Sequence, residues 1–596
     1  MGSALGALLA LGVGVAAPSS DGSSLRRAES LRGLAVAQQT TLPTRLLERA
    51  SAGREVRVEI SARRLAAVRS LVARLGGRVE MSYGRLLDVT VPSASLRELQ
   101  RDASVRFVRE PLRPVAEAVR GEGVAATGAR TWHRAGLRGA GVRVAVIDLG
   151  FGGWRDSRAN GDLPQSAVAV DYCPGNFEGV RATSHGTAVA EIVAEMAPEA
   201  RLYLICVANI AGLAQAKDYA RQNRIHIVNH SASWFNAGRG DDSGGVDTPS
   251  GIVADARAAG ILWVNSAGNR AQQHWSGTFG DANANGWHEF VPGDEGNTIV
   301  VGAGQATCMA LKWDSWPMTA VDYDLYLVRA SDGVPVQFSA TDQNGALPPT
   351  ELTCHFNTST SAQLYAVAIR LADAAGAPAP RLDLFVYPGP NLEHQVADGS
   401  VTEPGSSSRA LTVGAVCWQT SGLESFSSRG PTIDGRTKPD LAAPDWVSSF
   451  SYGPFGGCGG QSGFAGTSAA APHVAGAAAL VKSANPSWGA NELQAYLEAN
   501  ALDLGVPGRD SSFGAGRLAL GAAPRVALRT CVVPRLRGAR LAVAKARIRR
   551  AGCSVGRVRQ SRSSMTRGSV VRQSPAAGRR VSLGTRVTVI VSRGRR

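Results

Sequence analysis

The order of apolar and polar positions divides the chain before any motif is considered. Glu55-Val56-Arg57-Val58-Glu59-Ile60 alternates strictly, as a half-buried strand does. Residues 64–75 carry apolar side chains at helical spacing, and Gly76-Gly77 stops that helix. Strands at 78–81 and 86–91, a short helix at 96–99 after Pro92-Ser93, and a strand at 105–108 complete a βαββαβ unit. The pattern then changes to unbroken apolar runs at 142–147, 201–207, 225–229 and 261–265, separated by alanine-rich helical stretches. Such runs predict parallel strands buried on both faces by helices. The rhythm breaks after Asn269 and resumes with the apolar run at 411–416. Between them, 309–313, 323–328, 364–370 and 382–387 alternate and are separated by turn residues, which predicts an inserted antiparallel β-sandwich. From Arg529 a basic helix over 539–551, with Leu541, Ala544 and Ile548 on one side, precedes strands at 556–560, 570–575 and 585–591.

At 596 residues the chain exceeds what one hydrophobic core fills. The segments read as a leader at 1–20, an α+β unit at 50–115, an α/β domain in two parts (121–273 and 403–521), an insert at 274–402 and a small α+β module at 529–594. Residues 1–17 form an apolar core followed by small residues. That predicts an export signal, although no Lys or Arg stands at its start. The net charge of +16 suggests nucleic acid until it is located. Residues 521–596 hold 20 Lys or Arg and no Asp or Glu, so taking these from +16 leaves the rest of the chain at −4. That tail has no Phe, Tyr or Trp to stack on bases, which argues against nucleic acid as a partner. Eight cysteines suit an exported protein and permit 105 pairings. Sequential pairing inside modules would join Cys173 to Cys206, Cys308 to Cys354, Cys417 to Cys458 and Cys531 to Cys553. Buried free thiols are the alternative, above all for Cys206 on its apolar strand.

Three chemical groups stand out at the borders of these elements. The apolar run 142–147 ends in Asp148, and Ser184-His185-Gly186-Thr187 leads into an alanine-rich helix. Gly466-Thr467-Ser468-Ala469-Ala470-Ala471-Pro472 sets a serine at a helix start, where free N–H groups favour a developing negative charge. A nucleophilic serine needs a base, and the base needs an acid to orient it. Asp, His, Ser is also the chain order of subtilisin. On these residues the chain resembles the subtilisin-like serine proteases, or subtilases. Ser266-Ala267-Gly268-Asn269 resembles the family's oxyanion segment, and Val228-Asn229-His230-Ser231-Ala232-Ser233 its substrate strand. The stretch from Phe426-Ser427-Ser428-Arg429-Gly430-Pro431 to Lys438-Pro439-Asp440-Leu441-Ala442-Ala443-Pro444 also follows the family.

The resemblance implies a subtilisin-like parallel sheet with helices on both faces. It implies a catalytic Asp148, His185 and Ser468, an oxyanion donor at Asn269 beside the Ser468 N–H, and substrate contacts at Ser231, Ala232, Ser233, Ala267 and Gly268. It makes 50–115 an inhibitory prodomain, cut off between Arg109 and Gly123, and makes protein or peptide the substrate of a monomeric enzyme. Two departures stand against the pattern. Leu149 replaces a small hydroxyl residue after the catalytic Asp, and Ser233 stands where glycine is common. The insert resembles the jelly-roll modules of secreted proteases. The tail resembles a single PASTA repeat, with Val533-Pro534, Ala551-Gly552 and Gln573-Ser574-Pro575-Ala576-Ala577-Gly578, and this implies peptidoglycan as a partner and a secreted or wall-bound location. The other reading is a wall-associated binding protein on an inactive subtilase scaffold.

No cofactor is required by this chemistry. Asp281-Ala282-Asn283-Ala284-Asn285-Gly286 matches the first half of a calcium loop, but Pro292 holds the twelfth position and a plain turn is the alternative. His230 reads as structural or solvent-facing, and His133, His226, His274, His288, His355, His394 and His473 lack a partner pattern.

Overall fold

The computed structural model describes residues 55–109, 121–179, 182–460, 462–524, 530–582 and 584–595. The leader expected at 1–20 and most of the cleavage loop expected at 109–123 lie outside the described residues. The chain forms two compact units, each treated by itself.

The first unit runs β1 (Glu55–Ala62), α1 (Leu65–Arg74), β2 (Arg78–Tyr83), β3 (Leu86–Pro92), α2 (Leu96–Arg101) and β4 (Val105–Arg109), the order the alternation predicts. The strands form one antiparallel sheet in the order β2-β3-β1-β4. Register sets Val58 opposite Val89 and Ile60 opposite Leu87. The apolar half of each strand therefore meets Val68, Leu71 and Val72 of α1 and Leu96 and Leu99 of α2 in a single core. Gly76, at φ +73°, lets the chain turn out of α1.

The second unit is built on a seven-stranded sheet of order β19-β18-β9-β8-β5-β7-β6, parallel throughout. Its first strands and helices are α3 (Gly123–Ala126), α4 (Ala129–Arg134), β5 (Arg143–Asp148), α5 (Trp154–Asn160), β6 (Val168–Tyr172), α6 (His185–Met196) and β7 (Arg201–Val207). Next come α7 (Ile210–Gln222), β8 (Ile227–His230), α8 (Pro249–Ala258) and β9 (Leu262–Ser266). After the insert, β18 (Ala410–Cys417), β19 (Leu441–Asp445), α9 (Thr467–Ala484) and α10 (Ala490–Ala499) complete it. The residues of β5 sort by parity. Val144 and Val146 pack with α6 and α9, while Ala145 and Ile147 pack with α7 and α8. Both faces are covered, which is why the strands read as continuous apolar runs.

The insert is a sandwich of two antiparallel four-stranded sheets. One holds β10 (His274–Thr278), β17 (Arg381–Tyr387), β12 (Ala306–Trp313) and β15 (Thr350–Phe356). The other holds β11 (Asn297–Val301), β16 (Gln363–Asp373), β13 (Asp322–Arg329) and β14 (Val334–Ser339). Met309, Leu311 and Trp313 of one sheet share a core with Tyr323, Leu325, Leu327, Val367 and Ile369 of the other. In the tail, α11 (Leu541–Arg550) packs Ala544 and Ile548 on Val587, Val589 and Val591 of β24 (Arg586–Ser592). Strand β24 lies between β21 (Ser554–Ser561) and β22 (Val570–Ser574), and β20 (Thr530–Val532) pairs with β23 (Arg580–Ser582). The four disulfides are the sequential ones, and each closes within one module. Cys206 is thus bonded to Cys173 and is no free thiol. Among the described residues, no helix is long and apolar enough to cross a membrane.

Candidate active site

Strand order reverses around β5, which has β8 on one side and β7 on the other. In an open α/β sheet the carboxyl ends at such a switch point border the binding crevice. The sequence-predicted groups gather at that end. Strand β5 ends in Asp148, β8 runs into Ser231, β9 runs into Ala267-Gly268-Asn269, α6 begins at His185, and Ser468 lies in the first turn of α9.

Asp148 is fully buried. His185 Nδ1–H donates to its Oδ1 at 2.8 Å and reaches Oδ2 at 3.0 Å. A carboxylate can only accept, so this bond leaves Nε2 as the imidazole's free face. The close approach depends on Gly186, where a Cβ would lie 2.6 Å from the Gly150 carbonyl and 2.8 Å from Asp148 Cβ. The Leu149 backbone N–H donates to Asp148 Oδ1 at 2.8 Å, while its side chain is 49% exposed. A main-chain donor thus binds the carboxylate at the position where the sequence lacks a hydroxyl. Burial opposes the charged form of His185, but the charge and hydrogen bond of Asp148 outweigh it and raise the imidazole above its ordinary value. The Phe464 ring stands edge-on to His185, with centroids 5.5 Å apart.

Ser468 is buried, and two contacts tie it to the residue that follows β8. Its hydroxyl donates to the Ser231 carbonyl and the Ser231 hydroxyl donates back to the Ser468 carbonyl, both at 3.3 Å. Among the described residues no hydrogen bond joins Ser468 to His185, so the hydroxyl must rotate for that contact to form. Asn269 is held more tightly. Its Oδ1 accepts from the Thr467 N–H at 2.9 Å and from the Thr467 hydroxyl at 2.8 Å. A backbone N–H can only donate, so the carboxamide has one orientation, with Nδ2 as the donor end. Gly466, at φ +105°, leaves room for that end, since a Cβ there would sit 2.8 Å from Nδ2. Thr467 is a site residue that sequence reasoning missed, although it stands beside the serine in the same motif.

The other residues expected to contact substrate carry a lattice of hydroxyls. Ser233 Oγ accepts from Thr402 at 2.7 Å. Gly268, at φ +105°, donates to Thr467 Oγ1 at 3.2 Å and accepts from the Ser428 N–H at 2.9 Å. A Cβ on Gly268 would meet the hydroxyls of Ser428 and Thr402 at 3.0 and 3.1 Å. Ala267 is buried and Ala232 half-buried between the serines. Thr402 and Ser428, distant in sequence, were not foreseen here.

Two further histidines are held inside the fold by hydrogen bonds. His230 is fully buried, not solvent-facing. Its Nδ1–H donates to the Ile147 carbonyl at 2.9 Å and its Nε2 accepts from Trp234 at 3.0 Å, which fixes a neutral ring; burial lowers its pKa. His473 donates to the Ala469 carbonyl, and burial pushes it down to about 4. The Asp281 loop closes on itself. Asp281 and Asn283 accept from the Asn285 N–H, Asp281 also accepts from Gly286, and Asn285 accepts from Trp287. These bonds turn the Asn283 and Asn285 amide N–H groups toward Glu295, at 2.9 and 2.6 Å. A cation there would need those amides turned so that their oxygens, not their N–H groups, face it.

Two parts of the chain match known families. The model of the Subtilase family matches residues 139–516, and that of the PASTA domain matches residues 532–593. The chain is 26% identical over 419 residues to the minor extracellular protease Vpr of Bacillus subtilis (strain 168), covering 62% of this chain and 49% of that protein. It is 28% identical over 193 residues to the thermostable alkaline protease of Halalkalibacterium halodurans, covering 30% of this chain and 49% of that one. The chain therefore spans about half the length of the curated relatives it matches. The solved structure of the Clostridium perfringens CspB protease aligns with TM-score 0.46 and 16% identity, over 67% of this chain and 96% of that one.

Proposed function

Because this chain belongs to the subtilase family, we propose that it is a serine endopeptidase that cleaves peptide bonds through an acyl-enzyme. In this reading His185 Nε2 takes the proton of the Ser468 hydroxyl as it attacks the scissile carbonyl. Asp148 holds the ring in the needed tautomer and stabilises the imidazolium. Asn269 Nδ2 and the Ser468 N–H at the head of α9 receive the oxyanion, which forms only in the transition state. The substrate backbone lies along 231–233 and 267–268. The observation that carries the reading is the buried Asp148 paired with His185 at the same end of the sheet as the Ser468 turn. The first unit is a removable prodomain, the enzyme is exported, and the basic tail holds it at the cell wall by binding peptidoglycan, in keeping with the PASTA match.

The test is activity-based labelling of the purified full chain with a fluorophosphonate, followed by analysis of its processing. Wild type should label at Ser468 and shorten itself between Arg109 and Gly123, while Ser468→Ala does neither. Absence of labelling in folded wild type would instead favour an inactive scaffold.

A further inference from the structure

The first described nitrogen of the second unit lies on a carboxylate. The Gly121 N–H donates to both oxygens of Glu195, each at 2.9 Å. Glu195 is on the last turn of α6, the helix that begins at His185. Gly121 is buried, and a side chain there would displace the carboxylate. A Cβ would lie 2.6 Å from Glu195 Oε2 and 3.1 Å from the Ser448 carbonyl. The glycine is what brings main chain onto the carboxylate.

Among the described residues, the charged groups that act on Glu195 are acids: Glu191 on its own helix, Asp162 after α5 and Glu122 beside Gly121. Among the described residues no Lys, Arg or His pairs with it. Burial and these three neighbours push Glu195 up to about 8 despite the Gly121 hydrogen bond. The carboxylate holds a nitrogen, and no cation among the described residues neutralises it.

The chain can supply one. Hydrolysis of the Arg120–Gly121 bond adds the water oxygen to the Arg120 carbonyl carbon, leaving a carboxylate. The amine left on Gly121 takes a proton at neutral pH and becomes an ammonium. We propose that Gly121 is the mature N-terminus and that its α-ammonium forms an ion pair with Glu195, so that removal of the first unit completes the second. The proposal rests on the reading that the first unit is removed by proteolysis. The ion pair joins a network that reaches the site. Glu122 accepts from the Ser448 N–H and hydroxyl, both at 2.8 Å, and Glu191 accepts from the Ser451 N–H at 3.2 Å and hydroxyl at 2.8 Å. Val447, next to Ser448, pairs with Phe464, the ring that backs His185.

The experiment separates this pairing from self-cleavage. In the full-length Ser468→Ala chain, residues 115–120 are replaced by the recognition sequence of a specific protease that cuts before glycine. Cutting then exposes Gly121 whether or not the protein processes itself. Cutting should raise Tm at pH 7, and the new amine should acetylate about tenfold more slowly than a free N-terminus for each unit by which pairing raises its pKa. Glu195→Gln, which keeps an acceptor for the uncut N–H, should abolish both effects.

The pH dependence gives a second readout. In the uncut chain the folded state retains a Glu195 proton that the unfolded state loses above its ordinary value of 4.5, so stability falls as pH rises from there to about 8. Cutting should remove that loss. Unchanged Tm after cutting, or an amine as reactive with Glu195 as with Gln, would overturn the pairing. Intact-mass analysis of self-processed wild type should begin at Gly121; any other final N-terminus would also overturn the assignment. Failure of wild type to process itself, with the specific cut still stabilising, would overturn only the self-cleavage reading.

Discussion

At the scale of the residue, the site is arranged by groups that can only donate or only accept. The Thr467 N–H cannot accept, so Asn269 must turn Nδ2 outward; the Asp148 carboxylate cannot donate, so His185 must carry its proton on Nδ1. Asn269→Ala should therefore lower kcat by about 10²–10³ while probe labelling of Ser468 persists and KM changes little. A rise in KM at constant kcat would assign Asn269 to substrate binding instead. Thr467→Val, which removes the hydroxyl but keeps the N–H, should lose a smaller part of kcat. The pH profile tests His185. Asp148 raises its pKa, and catalysis needs the neutral ring, so kcat/KM should climb through an inflection above the ordinary value of 6.5. The sign for stability is opposite. Pairing of the imidazolium with Asp148 contributes fully below the unfolded value and is lost as pH rises through the folded one. Asp148→Asn should move the inflection down and cost about 10⁴ in kcat.

At the scale of the element, α6 and α9 bring His185 and Ser468 to one end of the sheet, and their packing is close because their contact residues are small. Helix α9 is alanine-rich along its buried length, and Gly476 lies where a Cβ would stand 2.3 Å from Met196 Cβ on α6. Gly476→Leu should destabilise the protein by about 1–3 kcal/mol or more in urea unfolding, because an overpacked contact must push one helix aside. It should lower kcat along with stability, since both helices bear at their heads the groups proposed to be catalytic. Full activity with unchanged unfolding would show that helix spacing does not set the site. The insert shows the opposite economy. It leaves the chain just after Asn269 and folds its own core, so a sandwich of two sheets interrupts the parallel sheet without disturbing its order.

At the scale of the whole molecule, charge and chemistry are segregated. The 20 basic residues of 521–596 lie outside the segment matched by the Subtilase model, and the tail has its own core and disulfide. Deleting 530–596 should leave hydrolysis of a soluble peptide unchanged and abolish sedimentation with purified peptidoglycan. Binding by the full chain should persist in part at about 1 M salt, where a Debye length of about 3 Å screens exposed charges. Complete loss at that salt would reduce the tail to a cationic tether. Much of this organisation was legible from the sequence, because alternation, continuous apolar runs and helical spacing report local burial directly. The first unit's βαββαβ order, the interrupted α/β sheet, the sandwich and the basic tail are all of that kind, and Asp148, His185 and Ser468 stood at element ends where pattern changes. What the sequence could not determine was which distant groups meet. Thr402 and Ser428 beside Gly268, the burial of His230, the loop N–H groups that occupy the Asp281 oxygens, and Gly121 on Glu195 all join positions far apart in the chain or depend on the direction in which a side chain points. Periodicity records whether a residue faces a core. Only the tertiary structure decides which donor lies within hydrogen-bonding distance of which acceptor, because such bonds form over a few tenths of an ångström and across elements whose relative placement no local pattern encodes.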